Sequence, residues 1–341
     1  MKALLIFAGS LSCRRKLPVT CPLKFMTMSG VRCSNPCRGI CQFAPAQGGA
    51  RAVALAALCC LAASGCASVP NGNLQDLLEP SNHRDWKPNM AALPYARFRD
   101  DRVKVYNIRN CTYIDEDTYV LNYEDRTYSL SDLETVDFIV CPFKGQPSLA
   151  HTMLSFGFRD GQYLAVSVEV RLEKGESYSA VGGMLRQFEI MYVVADERDV
   201  IRLRTEVRDA DVYVYRLRAA PTMARNLFVD VMRRVNTLKR RPEFYDTLMN
   251  NCTTNLVAHL NRAQPGFFPL DSFSILSGYS DLAAYSLGAL VDYGSFQETR
   301  RRAHVNALAR AFADSPHFSQ KIRAQDGTTQ LVQEDKSPLR R

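Results

Sequence analysis

One cysteine, Cys252, stands in a context that suits a nucleophile. It follows Asn250 and Asn251, and apolar residues at helical spacing begin just after it. Because Asn is a preferred N-cap residue, Cys252 is predicted at the first or second position of a helix. Unpaired backbone N–H groups and the positive end of the helix dipole stabilise a thiolate there. The N–H groups around Asn251 and Thr253 are also candidates to hold an oxyanion. The alternative is a small buried side chain under the first helical turn.

A cysteine nucleophile usually works with a base, and the sequence offers five histidines: His83, His151, His259, His304 and His317. His259 follows Cys252 by two helical turns, about 10 Å, which is too far for direct proton transfer. His151 begins a run of strand-forming residues, and a histidine at the end of a strand can meet the N-terminus of a helix. His151 is therefore the candidate base. A solvated or hydrogen-bonded strand histidine is the alternative.

A turn after this strand predicts a partner for His151. Arg159-Asp160-Gly161 suits a three-residue hairpin loop in which the glycine forms a G1 bulge. In that register His151 is opposite Glu169, with about 4.5–5.5 Å between their Cβ atoms, and a carboxylate there can orient the imidazole. A two-residue Asp160-Gly161 turn would instead put Glu169 on the other face. A surface ion pair between Glu169 and Arg171 is a further alternative.

The elements that carry these residues are predicted from hydrophobic periodicity. Short runs rich in Val, Ile, Tyr and Phe predict strands at Val103–Ile108, Thr118–Tyr123, Val136–Val140, His151–Phe158, Tyr163–Val170, Phe188–Val194, Val200–Arg204 and Val212–Leu217. Apolar stripes at helical spacing predict helices from Pro221 to just before Pro242, and at Cys252–Arg262, Asp281–Ala289 and Gln297–Phe312. Strands first and helices later indicate an α+β domain.

The net charge of +8 comes from the first part of the chain. Of the 43 Lys and Arg residues, eight lie in residues 1–65, which hold no Asp or Glu, so 35 basic residues remain against 35 acidic ones. This balance gives no basic surface for a polyanion, and no nucleic-acid partner is expected. Cys33, Cys37 and Cys41 are evenly spaced but have no histidine or fourth ligand nearby. No metal site and no cofactor are expected.

A short apolar run near residue 60 predicts export. Arg51 precedes 12 apolar residues, 52–63, which suit a secretory signal better than a spanning helix. The ending Ala63-Ser64-Gly65-Cys66 resembles a bacterial lipobox, so Cys66 is predicted to be lipidated and to become the mature N-terminus. A plain cleaved signal is the alternative. Ala67 favours the periplasmic face of the outer membrane, because the Gram-negative retention pattern has Asp there.

Four regions follow from these signals. Residues 1–66 are predicted as leader and lipoprotein signal peptide, 67–92 as a tether, 93–292 as the catalytic domain, and 293–341 as a helical extension with a polar tail. After Cys66 no run reaches 18 apolar residues, so the membrane is expected to be contacted through the lipid anchor alone.

Two further groups of residues leave alternatives open. Arg198, Asp199, Arg202 and Arg204 form a dense charged run that favours an ion-pair network over a phosphate clamp. Cys111 and Cys141 can pair in an oxidising compartment, but a single sequence does not show whether they are close.

Five motifs in order resemble the DUF4105 family, also called the Lnb N-terminal periplasmic domain. They are the strand His151–Phe158, Ser167-Val-Glu-Val-Arg171, the run Asp196–Arg204, Asn250-Asn-Cys-Thr-Thr254 and Ser277-Gly-Tyr-Ser-Asp281. The resemblance covers roughly residues 80–292.

The resemblance implies a fold and an activity. The fold is a permuted papain-like (NlpC/P60-type) antiparallel sheet packed against helices, with Cys252 as nucleophile and His151 as its base. Lnb is a transacylase that moves an acyl chain within a lipoprotein. The expected function is therefore acyl transfer through a thioester, with a membrane lipid or a bacterial lipoprotein as substrate. A cysteine peptidase or amidase of the cell envelope and a non-catalytic envelope lipoprotein are the alternatives.

Overall fold

A single large sheet organises the part of the chain that the computed structural model describes, residues 79–268 and 277–324. Its strands are β1 Tyr95–Arg99, β2 Arg102–Arg109, β5 Tyr123–Ser129, β6 Leu133–Phe143, β7 Gln146–Phe158, β8 Tyr163–Arg171, β9 Glu189–Asp196 and β10 Tyr213–Arg216. The order is β1-β2-β9-β8-β7-β6-β10, and β5 also pairs with β2. All pairings are antiparallel except one parallel bridge between β2 and β9. The short strands β3 Thr112–Tyr113 and β4 Tyr119–Val120 pair separately.

Helices in the described residues connect and cover these strands. They are α1 Pro88–Ala91, α2 Ala180–Met184, α3 Glu197–Arg202, α4 Pro221–Arg240, α5 Cys252–Ala263, α6 Ser280–Ser286, α7 Phe296–Ala303, α8 Asn306–Ala311 and α9 Phe318–Lys321. A π-helical turn, Leu203–Val207, continues α3, and a 3-10 turn, Ser277–Tyr279, precedes α6.

Alternation along the central strands gives the sheet two apolar sides. On the first side, Leu154 and Phe156 of β7 are buried against α4 and α5, whose apolar stripes include Leu227, Phe228 and Leu256. The Phe156 and Phe228 rings meet edge to face, with 5.1 Å between their centroids. This layer fixes the N-terminus of α5 relative to β7.

The second side is covered as well. Met153 of β7 and Ala165 of β8 pack with Val200 of α3, Ala309 of α8 and Phe318 of α9. Because both sides are covered, β9 is apolar along nearly its whole length instead of alternating. The helices of the predicted C-terminal extension therefore form a layer of the same core.

A buried ionic network holds that layer to the sheet. Arg323, just after α9, donates to Asp137 of β6 at 3.0 Å and to Glu197 of α3 at 2.8 Å. Ser155 of β7 donates to the same Glu197. Asp137 and Arg323 are 186 positions apart in sequence. The network thus joins the C-terminal helices to the start of α3.

The predicted α+β class is confirmed as a mixed fold with a mostly antiparallel sheet and helices. The hairpin register is also confirmed, because Met153 pairs with Ser167 and Gly157 with Tyr163, as the bulged turn requires. Gly161 adopts a positive φ of 81°, which glycine tolerates, and its N–H donates to the Phe158 carbonyl at 2.9 Å.

The strand prediction at Val200–Arg204 is wrong. Asp196 caps a helix by accepting from the Arg198 N–H at 3.0 Å, so this region forms α3 and the π turn. The spacing of the apolar residues Val200, Ile201 and Leu203 fits both a strand and a helix. The acidic residues Glu197 and Asp199 favour a helix, because they would lie in its first turn.

Three other boundaries differ from the prediction. The run at 118–123 splits into β4 and the start of β5. The helix predicted from 297 to 312 breaks into α7 and α8, because the Val305 N–H donates to the Val212 carbonyl at 3.0 Å. The helix predicted to reach Ala289 ends at Ser286, and Gly288 adopts a φ of 67° just after it.

Several predictions lie outside the described residues: the leader and signal of residues 1–66 with Cys66, the tether up to residue 78, and the tail from 325. Residues 79–92, predicted as the last part of the tether, pack on the domain. Trp86 is buried with its ring over the Arg171 guanidinium, and the Lys87 N–H donates to the Leu172 carbonyl at 3.0 Å. No helix in the described ranges is long and apolar enough to cross a bilayer.

Candidate functional site

Cys252 occupies the first position of α5, as the two asparagines predict. Asn251 is the N-cap, and its side chain accepts from the Thr254 N–H at 2.9 Å. The Thr254 hydroxyl accepts from the Asn251 N–H at 2.9 Å, which completes a capping box. The Asn251 amide also donates to the Thr247 carbonyl at 2.7 Å, so the loop before the helix is tied to the cap.

His151 lies on β7 directly opposite Cys141 of β6. Its largely buried imidazole lies close to the Cys252 thiol, since each group shifts the pKa of the other and the neighbouring Thr152 and Thr253 hydroxyls are 3.4 Å apart. The other contacts of the ring are made by Nε2, which is 2.7 Å from Ser167 Oγ and 3.2 Å from Glu169 Oε1. The structure therefore brings the three predicted catalytic side chains together.

Glu169 also forms a salt bridge with an arginine, Arg204. Arg204 Nη2 donates to Glu169 Oε1 at 2.8 Å, and Arg204 Nη1 donates to the Val200 carbonyl at 2.9 Å. The Arg204 side chain is only 3% exposed. It projects from the π-helical turn, a local distortion that is often found at functional sites.

The charges of the site favour a thiolate. Burial by itself raises the pKa of Cys252, but the hydrogen bond and charge of His151, together with the Thr152 N–H, lower it from 9.0 to about 7. Burial lowers the pKa of His151, but the Glu169 carboxylate and the hydrogen bond with Cys252 together outweigh this effect, and the pKa is raised. Burial likewise raises the pKa of Glu169, but His151 and Arg204 hold it well below its usual range.

The helix N-terminus offers donors beside the sulfur. Within the described residues, the N–H groups of Cys252 and Thr253 donate to no acceptor, as expected for the first turn of a helix. The Asn251 N–H differs because Thr254 already accepts it. The Thr253 hydroxyl lies 3.8 Å from the Cys252 sulfur. Of the two predicted oxyanion positions, Thr253 has the available amide and Asn251 supplies the cap.

Exposed apolar side chains lie on the loop before α5 and on the helix α2 that contacts this loop. The loop before α5 contacts α2, where the Thr247 hydroxyl donates to the Ala180 carbonyl at 3.1 Å. Met249 is 78% exposed, and a cavity of about 310 Å³ opens behind it with Arg186 and Asp246 in its wall. We call the five exposed apolar residues of this loop and helix the apolar rim: Val181, Met184, Leu185, Leu248 and Met249.

Other residues considered in the sequence analysis, including His259 and Arg171, make contacts elsewhere in the fold. His259 is fully buried, with Nε2 2.7 Å from the Tyr192 hydroxyl and Nδ1 2.6 Å from Asp230. Arg171 donates to the Met90 carbonyl at 2.9 Å, so the alternative surface pairing with Glu169 is wrong. Cys111 and Cys141 are both buried and free.

The charged run at 198–204 forms an ion-pair network, as the sequence analysis favoured over a phosphate clamp. Asp199 accepts from Arg109 at 2.7 Å, and both side chains are buried. Arg202 pairs with Glu206 at 2.9 Å, and Arg198 donates to the Ser315 carbonyl. With Arg204 bound to Glu169, every arginine of the run has a partner inside the chain.

Comparison with known families matches residues 119–278 to the Lnb N-terminal periplasmic domain. This Lnb segment runs from β4 to the turn before α6 and contains Cys252, His151 and Glu169. The resemblance inferred from the motifs is confirmed, and the family's description as periplasmic indicates a protein of the cell envelope. Searches of curated proteins and of solved structures found no match.

The sequence analysis did not predict that two residues of this site contact His151 or Glu169. Ser167 and Arg204 appear in the sequence motifs, but neither was assigned to His151 or Glu169. Ser167 is two residues before Glu169 on β8, and side chains two apart on a strand share a face, so this signal was present. Arg204 could not be placed while its segment was interpreted as a strand.

The cap of α5 gives a first test of the site. Asn251→Ala removes the acceptor for the Thr254 N–H and should lower the free energy of unfolding by about 1 kcal/mol. It should also slow alkylation of Cys252, because the first helical turn frays. Ser295→Ala removes a comparable cap, which accepts from the Glu298 N–H at the start of α7. That control should lose similar stability in a denaturant titration and keep the reactivity of Cys252. Equal alkylation rates in both variants would contradict the role of the cap.

Proposed function

We propose that this protein catalyses thiol-dependent acyl transfer at the surface of an envelope membrane, with Cys252 as nucleophile and His151 as base. The observation that carries this proposal is the contact between the Cys252 thiol and the His151 imidazole at a helix N-terminus, with the thiol pKa lowered to about 7. Thiols in such positions are ionised near neutral pH and attack carbonyl carbon readily.

The reaction proceeds in two acyl-transfer steps. His151 accepts the proton of Cys252, and the thiolate attacks the carbonyl carbon of an ester. The N–H groups of Cys252 and Thr253 stabilise the tetrahedral oxyanion. As the C–O bond breaks, the leaving alcohol takes the proton from His151 and a thioester remains on Cys252. An amine then attacks the thioester, His151 takes the amine proton, and an amide forms as the thiol is restored.

The apolar rim supports a lipid-derived acyl donor over a peptide. Met249, three residues before the nucleophile, is 78% exposed, and Leu185, at the end of the helix that contacts the same loop, is 75% exposed. Such side chains favour contact with acyl chains. A peptide groove would instead present hydrogen-bonding groups along an extended chain. We therefore propose a membrane lipid or a bacterial lipoprotein as the substrate, and peptide or amide hydrolysis as the alternative.

The arrangement of the site also supports a permuted papain-like architecture of the NlpC/P60 type. The base lies on a central antiparallel strand, the nucleophile begins a helix that packs on that sheet, and His151 precedes Cys252 in the chain. An anchor at a lipidated Cys66, holding the domain at the periplasmic face of the outer membrane, would supply the proximity to lipid that this function requires.

Mass spectrometry of envelope lipoproteins tests the proposal directly. In cells that produce the wild-type protein, an acyl chain should appear on an amino group of the substrate lipoprotein, and Cys252→Ala should abolish it. Cys111→Ala removes a buried thiol that the reaction does not use and should retain the product. Release of free fatty acid or of cleaved peptide would favour hydrolysis. Identical lipoproteins with and without the wild-type protein would contradict acyl transfer.

A further inference from the structure

We propose that Ser167 is a positioning residue of this site and that its hydroxyl, not the Glu169 carboxylate, is the immediate partner of His151. The inference rests on the proposed dyad of Cys252 and His151 and adds a residue to it. It assigns the hydrogen bond at Nε2 to Ser167, leaves Glu169 to act through its charge and through Ser167, and fixes which nitrogen of the imidazole acts as the base.

The hydrogen-bond distances identify Ser167 as the nearer partner. Ser167 Oγ lies 2.7 Å from His151 Nε2, whereas Glu169 Oε1 lies 3.2 Å from the same nitrogen. Ser167 also donates to Glu169 Oε1 at 2.6 Å. The serine hydroxyl therefore contacts both the imidazole and the carboxylate, and it makes the shorter contact with Nε2. Its side chain is fully buried, so no solvent competes for it.

The donor count then determines the tautomer. An ionised carboxylate can only accept hydrogen bonds, and a hydroxyl has a single proton to donate. Because that proton goes to Glu169, Ser167 Oγ can only accept from His151, and Nε2 must carry the hydrogen. The lone pair of the neutral imidazole is therefore on Nδ1, which is the nitrogen left to take the proton of Cys252.

Arg204 favours the arrangement in which His151 donates to Ser167 and Ser167 donates to Glu169. Its Nη2 donates to the same Glu169 Oε1 at 2.8 Å, which favours the ionised carboxylate. A protonated Glu169 would be able to donate to Ser167, and the serine proton would then be free to point at His151. When His151 accepts the thiol proton, Nε2–H continues to donate to Ser167, and the serine keeps its own proton.

A double-mutant cycle on Cys252 alkylation tests this order of contacts. Ser167→Ala should slow alkylation at pH 7 roughly 10-fold, since it removes a hydrogen bond to a group that becomes charged. Glu169→Gln should slow it as well, and Ser167→Ala/Glu169→Gln should lose much less than the product of the two single losses. Ser167→Thr restores a hydroxyl and should recover most of the rate. Independent, multiplying losses would show that Glu169 acts on His151 directly and would overturn the proposal.

A matched control separates this effect from general damage to the sheet. Ser155 is another fully buried strand serine, and its hydroxyl donates to the buried Glu197. Ser155→Ala should lose comparable stability without changing the pH profile of Cys252 alkylation. If Ser167→Ala matched Ser155→Ala in both stability and profile, Ser167 would have no role beyond packing.

Nitrogen NMR of His151 supplies a second readout. With Cys252→Ala, where no thiolate holds the imidazolium, the neutral ring should show hydrogen on Nε2 at alkaline pH, and Ser167→Ala should mix the two tautomers. A ring protonated on Nδ1 would overturn the assignment. If His151→Ala left the alkylation of Cys252 unchanged, the dyad itself would fail, and that outcome is distinct from failure of the Ser167 contact alone.

Discussion

At pH 7, iodoacetamide should modify Cys252 in the folded protein at least about 1,000 times faster than Cys141, and it should also modify Cys252 faster than Cys111. The pKa of Cys252 is lowered to about 7, so roughly half of this thiol is ionised at that pH. Burial raises the pKa of Cys141 to about 12 and also raises that of Cys111. For Cys141 only about one molecule in 100,000 carries a thiolate at pH 7.

Peptide mapping by mass spectrometry measures the three rates in one sample. The same experiment in concentrated urea is the control, because unfolding removes both burial and the helix dipole, and the rates should then converge. Equal rates in the folded protein would mean that Cys252 is a packing residue, and the interpretation as a non-enzymatic envelope protein would become the better one.

His151→Ala should reduce the alkylation rate of Cys252 at pH 7 by at least about 50-fold. His151 is the main group that lowers this pKa, since burial acts in the opposite direction. Without it the pKa should return to 9.0 or above, and the thiolate fraction at pH 7 should fall to about 1%. Because the thiolate is the reactive form, the alkylation rate should rise with pH as Cys252 ionises. The wild-type rate should rise mainly between about pH 6 and 8, and that of His151→Ala mainly between about pH 8 and 10 or higher.

A pH series of alkylation rates checks this prediction, and the two curves should converge at high pH. His304→Ala is the matched control, because His304 pairs with Asp211 at 2.9 Å on the exposed side of α7, away from Cys252. It should keep the wild-type curve. A wild-type curve in His151→Ala would show that the imidazole does not set the state of the thiol.

The parts of the site that the sequence predicts correctly depend on local chemistry. Two asparagines before an apolar stripe define the cap, and Cys252 is therefore at the first helical position. The bulged turn at Gly161 sets the register of β7 and β8, which puts Glu169 beside His151. Each of these predictions needs only a few neighbouring residues.

The parts that could not be predicted depend on contacts between distant segments. Arg204 reaches Glu169 only because residues 197–207 form a helix with a π turn, and the apolar residues there fit both periods. The break between α7 and α8 arises from the hydrogen bond that Val305 donates to Val212, in a different element. Ser167 was visible as a neighbour of Glu169, but its distance from His151 is a property of the folded sheet.

The C-terminal layer has a practical consequence for anyone who wishes to isolate the catalytic segment. The family match ends at residue 278, yet Ala309, Phe318 and Arg323 beyond it cover the sheet side that contains Met153. A clone cut at the family boundary would expose that apolar side and leave Asp137 and Glu197 buried without Arg323. The recognisable segment of this chain is therefore smaller than its folding unit.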